Sequence, residues 1–187
     1  MNLKLRRLGI QDYRKTWASM QNVILSKRNE DPDELWLLEH FPVYTLGFGA
    51  SEDHLLTESN IPVIRSDRGG EVTYHGPGQI VAYFLINLRR KNWGPKRFVN
   101  ELEASVIDFL KKYNISSSRQ SGDPGIYVKD KKISSVGLKI KRGFSYHGLS
   151  INIDMDLSPF ENINVCGNEG LKVTHLNKFA EVSIDRA

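Results

Sequence analysis

The segment from Gly125 to Ile153 restricts the fold of this chain more than any other. It contains three strand-like stretches, 125–128, 132–140 and 144–153, joined by connectors of three residues each. Short connectors that contain Asp or Gly are typical of tight β-hairpins. The segment therefore predicts consecutive antiparallel strands within one sheet.

Two helices are predicted before these hairpins. The first spans residues 12 to 28, and the second begins near Pro95, since proline is favoured at the first helical position. Their apolar stripes are Tyr13, Trp17, Met20 and Ile24 in the first helix, and Phe98, Leu102, Val106 and Phe109 or Leu110 in the second. Shorter strand-like stretches between the helices are 35–38, 62–65, 72–74 and 79–88. This order predicts an α/β or α+β fold with helices packed on a sheet, and the absence of a strand–helix unit with a glycine-rich phosphate fingerprint argues against a dinucleotide fold.

Length and composition favour one domain, residues 1–187, with 40% hydrophobic residues available for a core. The amino terminus lacks the apolar stretch of a signal peptide, and the longest apolar run, 80–86, is too short to cross a bilayer. Because there is one thiol and no export signal, we expect a cytoplasmic protein without a membrane association.

The net charge is +4, and positive residues cluster in three basic runs, 89–91, 129–132 and 139–142. Such runs are either solvated turns or a docking face for an acidic partner. They are short and carry little aromatic interleaving, which argues against nucleic acid as the partner.

Cys166 is the single cysteine of the chain and lies in a polar setting, beside Gly167. A lone thiol cannot form an internal disulfide, and one sulfur cannot complete a tetrahedral zinc site without other ligands. Two readings remain, a buried structural cysteine and a nucleophile.

Residues 68–79 form the densest motif, Arg-Gly-Gly-Glu-Val-Thr-Tyr-His-Gly-Pro-Gly-Gln. It is either a glycine-rich hairpin with one incidental histidine, or a cradle whose arginine and backbone N–H groups hold a carboxyl, thioester or phosphopantetheine end.

Two further stretches, 132–137 and 146–152, combine strand character with small residues. Regular alternation in the first places Lys132, Ser134 and Val136 on one face of the sheet, and Ile133, Ser135 and Gly137 on the other. A lysine at such a position is usually an exposed edge residue. The second stretch contains a glycine break that would let a ligand lie close to the sheet.

Taken together, these motifs closely resemble those of the lipoyl(octanoyl) transferases, the octanoyl-carrier-protein:protein octanoyltransferases of lipoate biosynthesis. The matching blocks, in order, are 39–47, 68–79, 132–137, 146–152 and 164–167. The resemblance extends from about residue 34 to about residue 177, and the 68–79 block is its most specific part. It implies a mixed β-sheet flanked by helices, similar to the catalytic domain of biotin and lipoate protein ligases.

The resemblance also implies a set of site residues. It makes Cys166 the acyl-accepting thiol and Lys132 the lysine that activates it. The substrate-binding residues that it implies are Arg68, Gly69, Gly70, Glu71, Val72, Thr73, Tyr74, His75, Ser135, Val136, Gly137, Gly148, Leu149 and Ser150.

The chemistry of a cysteine–lysine pair is consistent with this assignment. A free thiol has a pKa of about 8.5 and attacks a thioester as the thiolate, which a nearby ammonium stabilises. A neutral lysine could instead accept the thiol proton, so the sequence leaves the charge of Lys132 open. Backbone N–H groups at Cys166 and Gly167, or those of the glycine-rich cradle, are the expected oxyanion donors.

The implied partners are octanoyl-acyl carrier protein, and the apo-lipoyl domains of 2-oxoacid dehydrogenase complexes and of the glycine-cleavage H protein. No ATP, metal or other cofactor is expected. The alternatives are an ATP-dependent lipoate or biotin protein ligase, a catalytically silent acyl-binding protein, and a thioesterase.

Overall fold

The computed structural model describes residues 3–182, so the ends of the predicted domain, 1–2 and 183–187, lie outside it. Along the chain the elements are β1 (Leu3–Gln11), α1 (Tyr13–Ser26), β2 (Asp33–His40), β3 (Val43–Leu46), β4 (Val63–Arg65), β5 (Thr73–His75), β6 (Gln79–Leu85), α2 (Pro95–Lys111), β7 (Ser118–Gln120), β8 (Asp123–Val128), β9 (Lys131–Lys141) and β10 (Phe144–Asn152). Seven strands form the main sheet in the order β1-β2-β6-β10-β9-β8-β7, and β4-β3-β5 form a small second sheet.

The main sheet is mixed, as the resemblance implies. β1 and β2 are parallel, and each of the other neighbours in the sheet is antiparallel. α2 covers one face, where its stripe packs against Ile126, Ile133 and Leu149. α1 covers part of the other face, where Met20 and Ile24 pack on strand residues.

The two helices and the hairpins confirm the sequence predictions. α1 begins where Asp12 caps it by accepting from the amide of Lys15, and α2 begins at Pro95. The strands β1, β3 and β7 were not predicted. β1 is an edge strand in which Leu3 and Leu5 are about half exposed and Leu8 is partly buried, so its sequence lacks the clear alternation of a half-buried strand. Within residues 3–182, no helix is both long and apolar enough to cross a membrane.

The pairing of β8 with β9 contains a β-bulge. Ile126 lies opposite Ser134, but the next residue, Tyr127, lies opposite Lys132. Ile133 is therefore an extra residue in β9, and it is fully buried beneath α2. A bulge of this kind shifts the alternation of side chains by one position.

The bulge makes the predicted alternation wrong. Ser134 lies opposite a residue of the α2 cluster, whereas Lys132 pairs with Tyr127 on the opposite face. Lys132 consequently shares a face with Ser135 and Gly137, not with Ser134 and Val136. This face is the one that α1 and the small sheet cover, and it carries the candidate site.

A cavity of about 450 Å³ lies on the α2 face, lined largely by apolar side chains such as Leu35, Leu37 and Phe109. Neither Cys166 nor Lys132 lines it. The chemistry-bearing residues therefore belong to the other face of the sheet.

Truncation of the α2 stripe tests the packing of this layer. Leu102 is 4% exposed, so Leu102→Ala should lower the free energy of unfolding by about 2–5 kcal/mol through lost burial and a cavity. Urea unfolding followed by circular dichroism measures the change. Asp108→Ala, at an exposed position of the same helix, should change it by less than about 0.5 kcal/mol. Equal effects at the two positions would contradict this packing.

Candidate active site

Cys166 lies in a tight 3₁₀ turn, Val165–Gly167, that follows the main sheet. Its backbone is in the left-handed region, with φ of 57° and ψ of 23°. Few non-glycine residues adopt this conformation, and those that do are common at functional sites. The amide of Cys166 donates to the carbonyl of Val72 at 3.2 Å, which ties the turn to the glycine-rich motif.

Lys132 is 1% exposed, and its Nζ donates to Cys166 Sγ at 2.9 Å. The side chain passes over Gly125, whose φ is 143°. A Cβ at Gly125 would lie 2.7 Å from Lys132 Cε and 2.3 Å from the carbonyl oxygen of Ser134. Glycine is therefore required at this position for the lysine to reach the thiol.

Asp123 is a third member of the site that the sequence analysis missed. Its Oδ1 accepts from Lys132 Nζ at 2.5 Å, and its Oδ2 accepts from Tyr127 Oη at 2.5 Å and from Asn168 Nδ2 at 3.2 Å. The sequence places it in a Ser-Gly-Asp-Pro-Gly stretch that is typical of a turn. It could have been placed beside β9 only by continuing the pairing of the β8–β9 hairpin beyond Gly125.

Burial raises the pKa of the Cys166 thiol, the charge of Lys132 lowers it, and the charge of Asp123 raises it again. The net direction is upward, so the resting thiol is protonated at neutral pH. The lysine stabilises the thiolate once it forms, and the carboxylate opposes its formation.

Arg68 is 7% exposed, and its guanidinium is bound by Thr45 of β3 and by its own loop. Nε and Nη2 donate to the side chain and carbonyl of Thr45, Nη2 also donates to the carbonyl of Glu71, and Nη1 donates to that of Gly69. An arginine has five N–H groups, so at most one remains for a ligand. The role of Arg68 in holding a carboxyl, thioester or phosphopantetheine end stays a prediction, and it would depend on that one N–H group. The position of Arg68 shapes the cradle.

A narrow pocket with about 50 Å³ of free space begins at Cys166 and runs along the sheet. Of the substrate-binding residues that the resemblance implies, those that line it are Arg68, Gly70, Glu71, Val72, Thr73, His75, Ser135, Val136, Gly137, Gly148, Leu149 and Ser150. The side chains of Val136 and Leu149 pack in the cluster beneath α2, so these two residues border the pocket from within their strands.

Gly69 and Tyr74 do not line this pocket. The amide of Gly69 donates to the carbonyl of Leu138 at 2.8 Å, which fixes the cradle on β9. Tyr74 packs with Tyr44 and Phe160 in a separate cluster. Both residues therefore support the loop that borders the pocket.

Four lining residues were not predicted: Tyr13, Val81, Tyr83 and His147. Tyr13 stacks on His75 with ring centroids 6.0 Å apart, and Tyr83 meets His147 edge to face. They come from α1, β6 and β10, outside the glycine-rich motif, so motif spacing could not have connected them.

The histidine of the glycine-rich motif is not arranged as a base. His75 Nδ1 contacts Gln79 Oε1 at 2.6 Å, and burial lowers the pKa of His75 to about 3. His147 Nε2 contacts Asp67 Oδ1 at 2.8 Å, and burial lowers its pKa as well. The inner part of the pocket is therefore lined by neutral rings at physiological pH.

The expected oxyanion donors at Cys166 and Gly167 are occupied. Besides the bond of Cys166 to Val72, the amide of Gly167 donates to the carbonyl of Asn164 at 2.9 Å. Within residues 3–182, the amides of Gly70 and Glu71 have no backbone or side-chain acceptor. Of the two expected sets of donors, the cradle amides are the ones that remain free.

Among the described residues, no group of three or more His, Cys, Asp or Glu side chains is arranged to hold a metal ion. The charged groups next to Cys166, Lys132 and Asp123, are paired with each other.

Comparison with known proteins gives a consistent family. The model of the lipoyl protein ligase A/B catalytic domain matches residues 12–187. A relative from Vibrio atlanticus, named octanoyltransferase, is 51% identical over 176 residues, which is 94% of this chain and 80% of the relative.

Solved structures share the fold at low sequence identity. A bipartite lipoate protein ligase from Thermoplasma acidophilum superposes with a TM-score of 0.78 at 15% identity, over 100% of this chain and 79% of that one. Biotin protein ligase from Aquifex aeolicus gives a TM-score of 0.55 at 14% identity, over 100% and 62% of the two chains. The expected similarity to the ligase catalytic domains is confirmed at the level of fold.

Removal of the ammonium should change the titration of the thiol. Lys132→Met should raise the pKa of Cys166 by about one unit or more, because burial and Asp123 then act on the thiol without the opposing charge. The rate of iodoacetamide alkylation against pH measures the midpoint. Lys131→Met, which removes a neighbouring exposed charge, is the matched control and should leave the midpoint unchanged. A midpoint that Lys132→Met does not move would show that the 2.9 Å contact has no electrostatic effect.

Proposed function

The chain belongs to the lipoyl protein ligase A/B catalytic-domain family, and we propose that it is an octanoyltransferase that uses Cys166 as an acyl-thioester nucleophile. It transfers the octanoyl group from octanoyl-acyl carrier protein to the target lysine of an apo-lipoyl domain. The observation that carries this proposal is the contact of 2.9 Å between Lys132 Nζ and Cys166 Sγ at the wall of the pocket.

The same contact separates a transferase from an ATP-dependent ligase. A ligase activates a free acid as an adenylate and needs no thiol, whereas thioester exchange needs a nucleophile beside a charge that stabilises it. A merely structural cysteine would not need a buried ammonium at hydrogen-bond distance, because burying that charge has a large desolvation cost. The name of the Vibrio atlanticus relative supports the transferase reading.

In the first half-reaction, Cys166 Sγ attacks the carbonyl carbon of the carrier thioester. A bond forms between that carbon and Sγ, and the bond from the carbon to the phosphopantetheine sulfur breaks. Lys132 takes the proton of the Cys166 thiol and gives one of its own protons to the departing sulfur. The free amides of Gly70 and Glu71 are the donors for the oxyanion.

In the second half-reaction, the amine of the target lysine attacks the acyl-enzyme. The new bond joins the carbonyl carbon to nitrogen, and the bond to Cys166 Sγ breaks. One amine proton reaches Sγ through Lys132, which restores the thiol. Neither half-reaction requires ATP, because the octanoyl group leaves a thioester each time.

The octanoyl chain occupies the pocket that begins at Cys166, with its tail among Val81, Tyr13 and the neutral ring of His75. At about 0.8 kcal/mol per buried methylene, the tail contributes about 5 kcal/mol to binding. The pocket is narrow, so the chain enters by displacing side chains that now close it.

Both protein partners bring an acidic surface to the site. Lys139 extends from the site face of β9, and its Nζ lies 4.8 Å from the ring of Phe48, which is 76% exposed. The amide of Phe48 donates to the carbonyl of Arg68 at 2.8 Å, so this pair flanks the cradle.

The partners are octanoyl-acyl carrier protein and the apo-lipoyl domains of 2-oxoacid dehydrogenase complexes and glycine-cleavage H protein. Complementary charge raises the rate of such encounters, and a reactive thiol of this kind suits the reducing cytoplasm.

Intact-protein mass spectrometry tests the covalent route. When the protein is mixed with octanoyl-acyl carrier protein without ATP, it should gain one octanoyl group that maps to Cys166, because the thiol is the acyl acceptor. Addition of an apo-lipoyl domain should discharge this adduct and place the octanoyl group on the domain.

The control is Cys166→Ser, which keeps the shape of the site and should form no stable adduct under the same conditions. Transfer that requires ATP and free octanoic acid would move the protein to the ligase class. Release of free octanoate at the same rate with and without the lipoyl domain would make it a thioesterase.

A further inference from the structure

The carboxylate of Asp123 is bound to three different side chains at the edge of the site. It accepts from Lys132 Nζ at 2.5 Å, from Tyr127 Oη at 2.5 Å and from Asn168 Nδ2 at 3.2 Å. Asn168 belongs to the turn that carries Cys166, so the carboxylate connects that turn to both strands of the β8–β9 hairpin. We propose that Asp123 is a positioning residue that holds Lys132 in place, in its charged form, beside Cys166.

The need for such a partner follows from the burial of Lys132. A lysine side chain has four rotatable bonds, and its ammonium carries three donors and no acceptor. Within residues 3–182, its Nζ has two hydrogen-bond acceptors, Cys166 Sγ and Asp123 Oδ1. A protonated thiol is a weak acceptor, so the carboxylate is the group that offsets the cost of burying the charge.

Within residues 3–182, Asp123 is the one carboxylate that forms an ion pair with Lys132. Glu103 on α2 accepts from Arg119 Nε at 2.9 Å and from the amide of Gly125 at 2.9 Å. On the far side of the Cys166 turn, a Cβ at Gly167 would lie 3.2 Å from both Glu71 Cγ and His54 Nε2. Further charged side chains of the surrounding elements include Arg68, which Thr45 and its own loop bind, and the exposed Asp130, Lys131, Glu169 and Lys172. Among these groups, Asp123 is therefore the carboxylate that binds the ammonium of Lys132.

This arrangement has a consequence for the proposed transfer reaction, on which it rests. A lysine that is already charged cannot serve as the initial base for the thiol. It can instead give a proton to the departing carrier sulfur while it takes the proton of Cys166, so that Nζ has three protons before and after. Asp123 keeps this proton donor fixed at the point of bond breaking.

Asp123→Asn in the full chain tests the proposal with two readouts that should move in opposite directions. The alkylation midpoint of Cys166 should rise towards that of Lys132→Met, because the released ammonium lowers the thiol pKa more than the lost carboxylate raises it. The kcat of octanoyl transfer should nevertheless fall roughly 10- to 100-fold, with KM for the carrier unchanged, because Lys132 is no longer fixed. Asp130→Asn removes the same charge from the exposed β8–β9 turn and should change neither readout.

A double-mutant cycle shows whether Asp123 affects kcat through Lys132. In a Lys132→Met background, Asp123→Asn should cause no further loss of kcat under single-turnover conditions, since the residue that it positions is absent. Asp123→Glu retains the carboxylate on a longer arm, so its kcat should lie between those of the wild type and Asp123→Asn. Thermal unfolding checks that each variant is folded.

Three results would overturn the positioning role. They are an unchanged alkylation midpoint in Asp123→Asn, an unchanged kcat, and an equal loss of kcat with and without Lys132. If Asp123→Asn does not fold, Asp123→Glu carries the test, and wild-type kcat in that variant would reject the proposal. The alkylation assay uses no acyl substrate. If the protein forms no octanoyl adduct but Asp123→Asn still shifts the alkylation midpoint, the proposed function is rejected. The positioning of Lys132 by Asp123 is then retained.

Discussion

The burial of one ammonium group beside one thiol is the constraint on which the rest of this site depends. Lys132 is 1% exposed, and a charge in that position requires partners within hydrogen-bond distance. The bulge at Ile133 turns the lysine to the site face, Gly125 leaves room for its side chain, and Asp123 binds its charge. Each of these features is difficult to explain if Cys166 is only a packing residue.

The parts of the fold that sequence could predict are those with local causes. The α2 stripe follows from helical periodicity, and the β8–β9–β10 hairpins follow from their short connectors. Cys166 and Lys132 could be singled out by motif, since both lie in blocks that resemble one family. The bulge could not be predicted, because the same amino-acid sequence is compatible with a regular strand and with a bulged one. Asp123 was missed for the related reason that its partners come from three separate segments, and only the folded pairing brings them together.

The glycine-rich motif has a different role from the one that its composition suggests. Its arginine donates to Thr45, Gly69 and Glu71 and has almost no capacity left for a ligand. Its backbone lies against neighbouring backbone: a Cβ at Gly137 would be 2.9 Å from the carbonyl oxygen of Gly69. The motif is therefore a rigid wall that presents the amides of Gly70 and Glu71. A preorganised wall of this kind suits a reaction in which charge develops on one oxygen, since its dipoles need not reorient during the reaction.

The distribution of charge along the pocket also determines which end of a substrate can enter first. Lys132 and Asp123 lie behind Cys166 at one end of the pocket, whereas its lining includes Tyr13, Tyr83 and histidines that burial keeps neutral. A free carboxylate directed inward would meet neutral rings and an arginine whose donors are occupied, so its burial would be unfavourable. An alkyl tail has no such cost, and it leaves its carbonyl carbon at the charged end, next to the thiol. The arrangement therefore favours an acyl group that enters tail first.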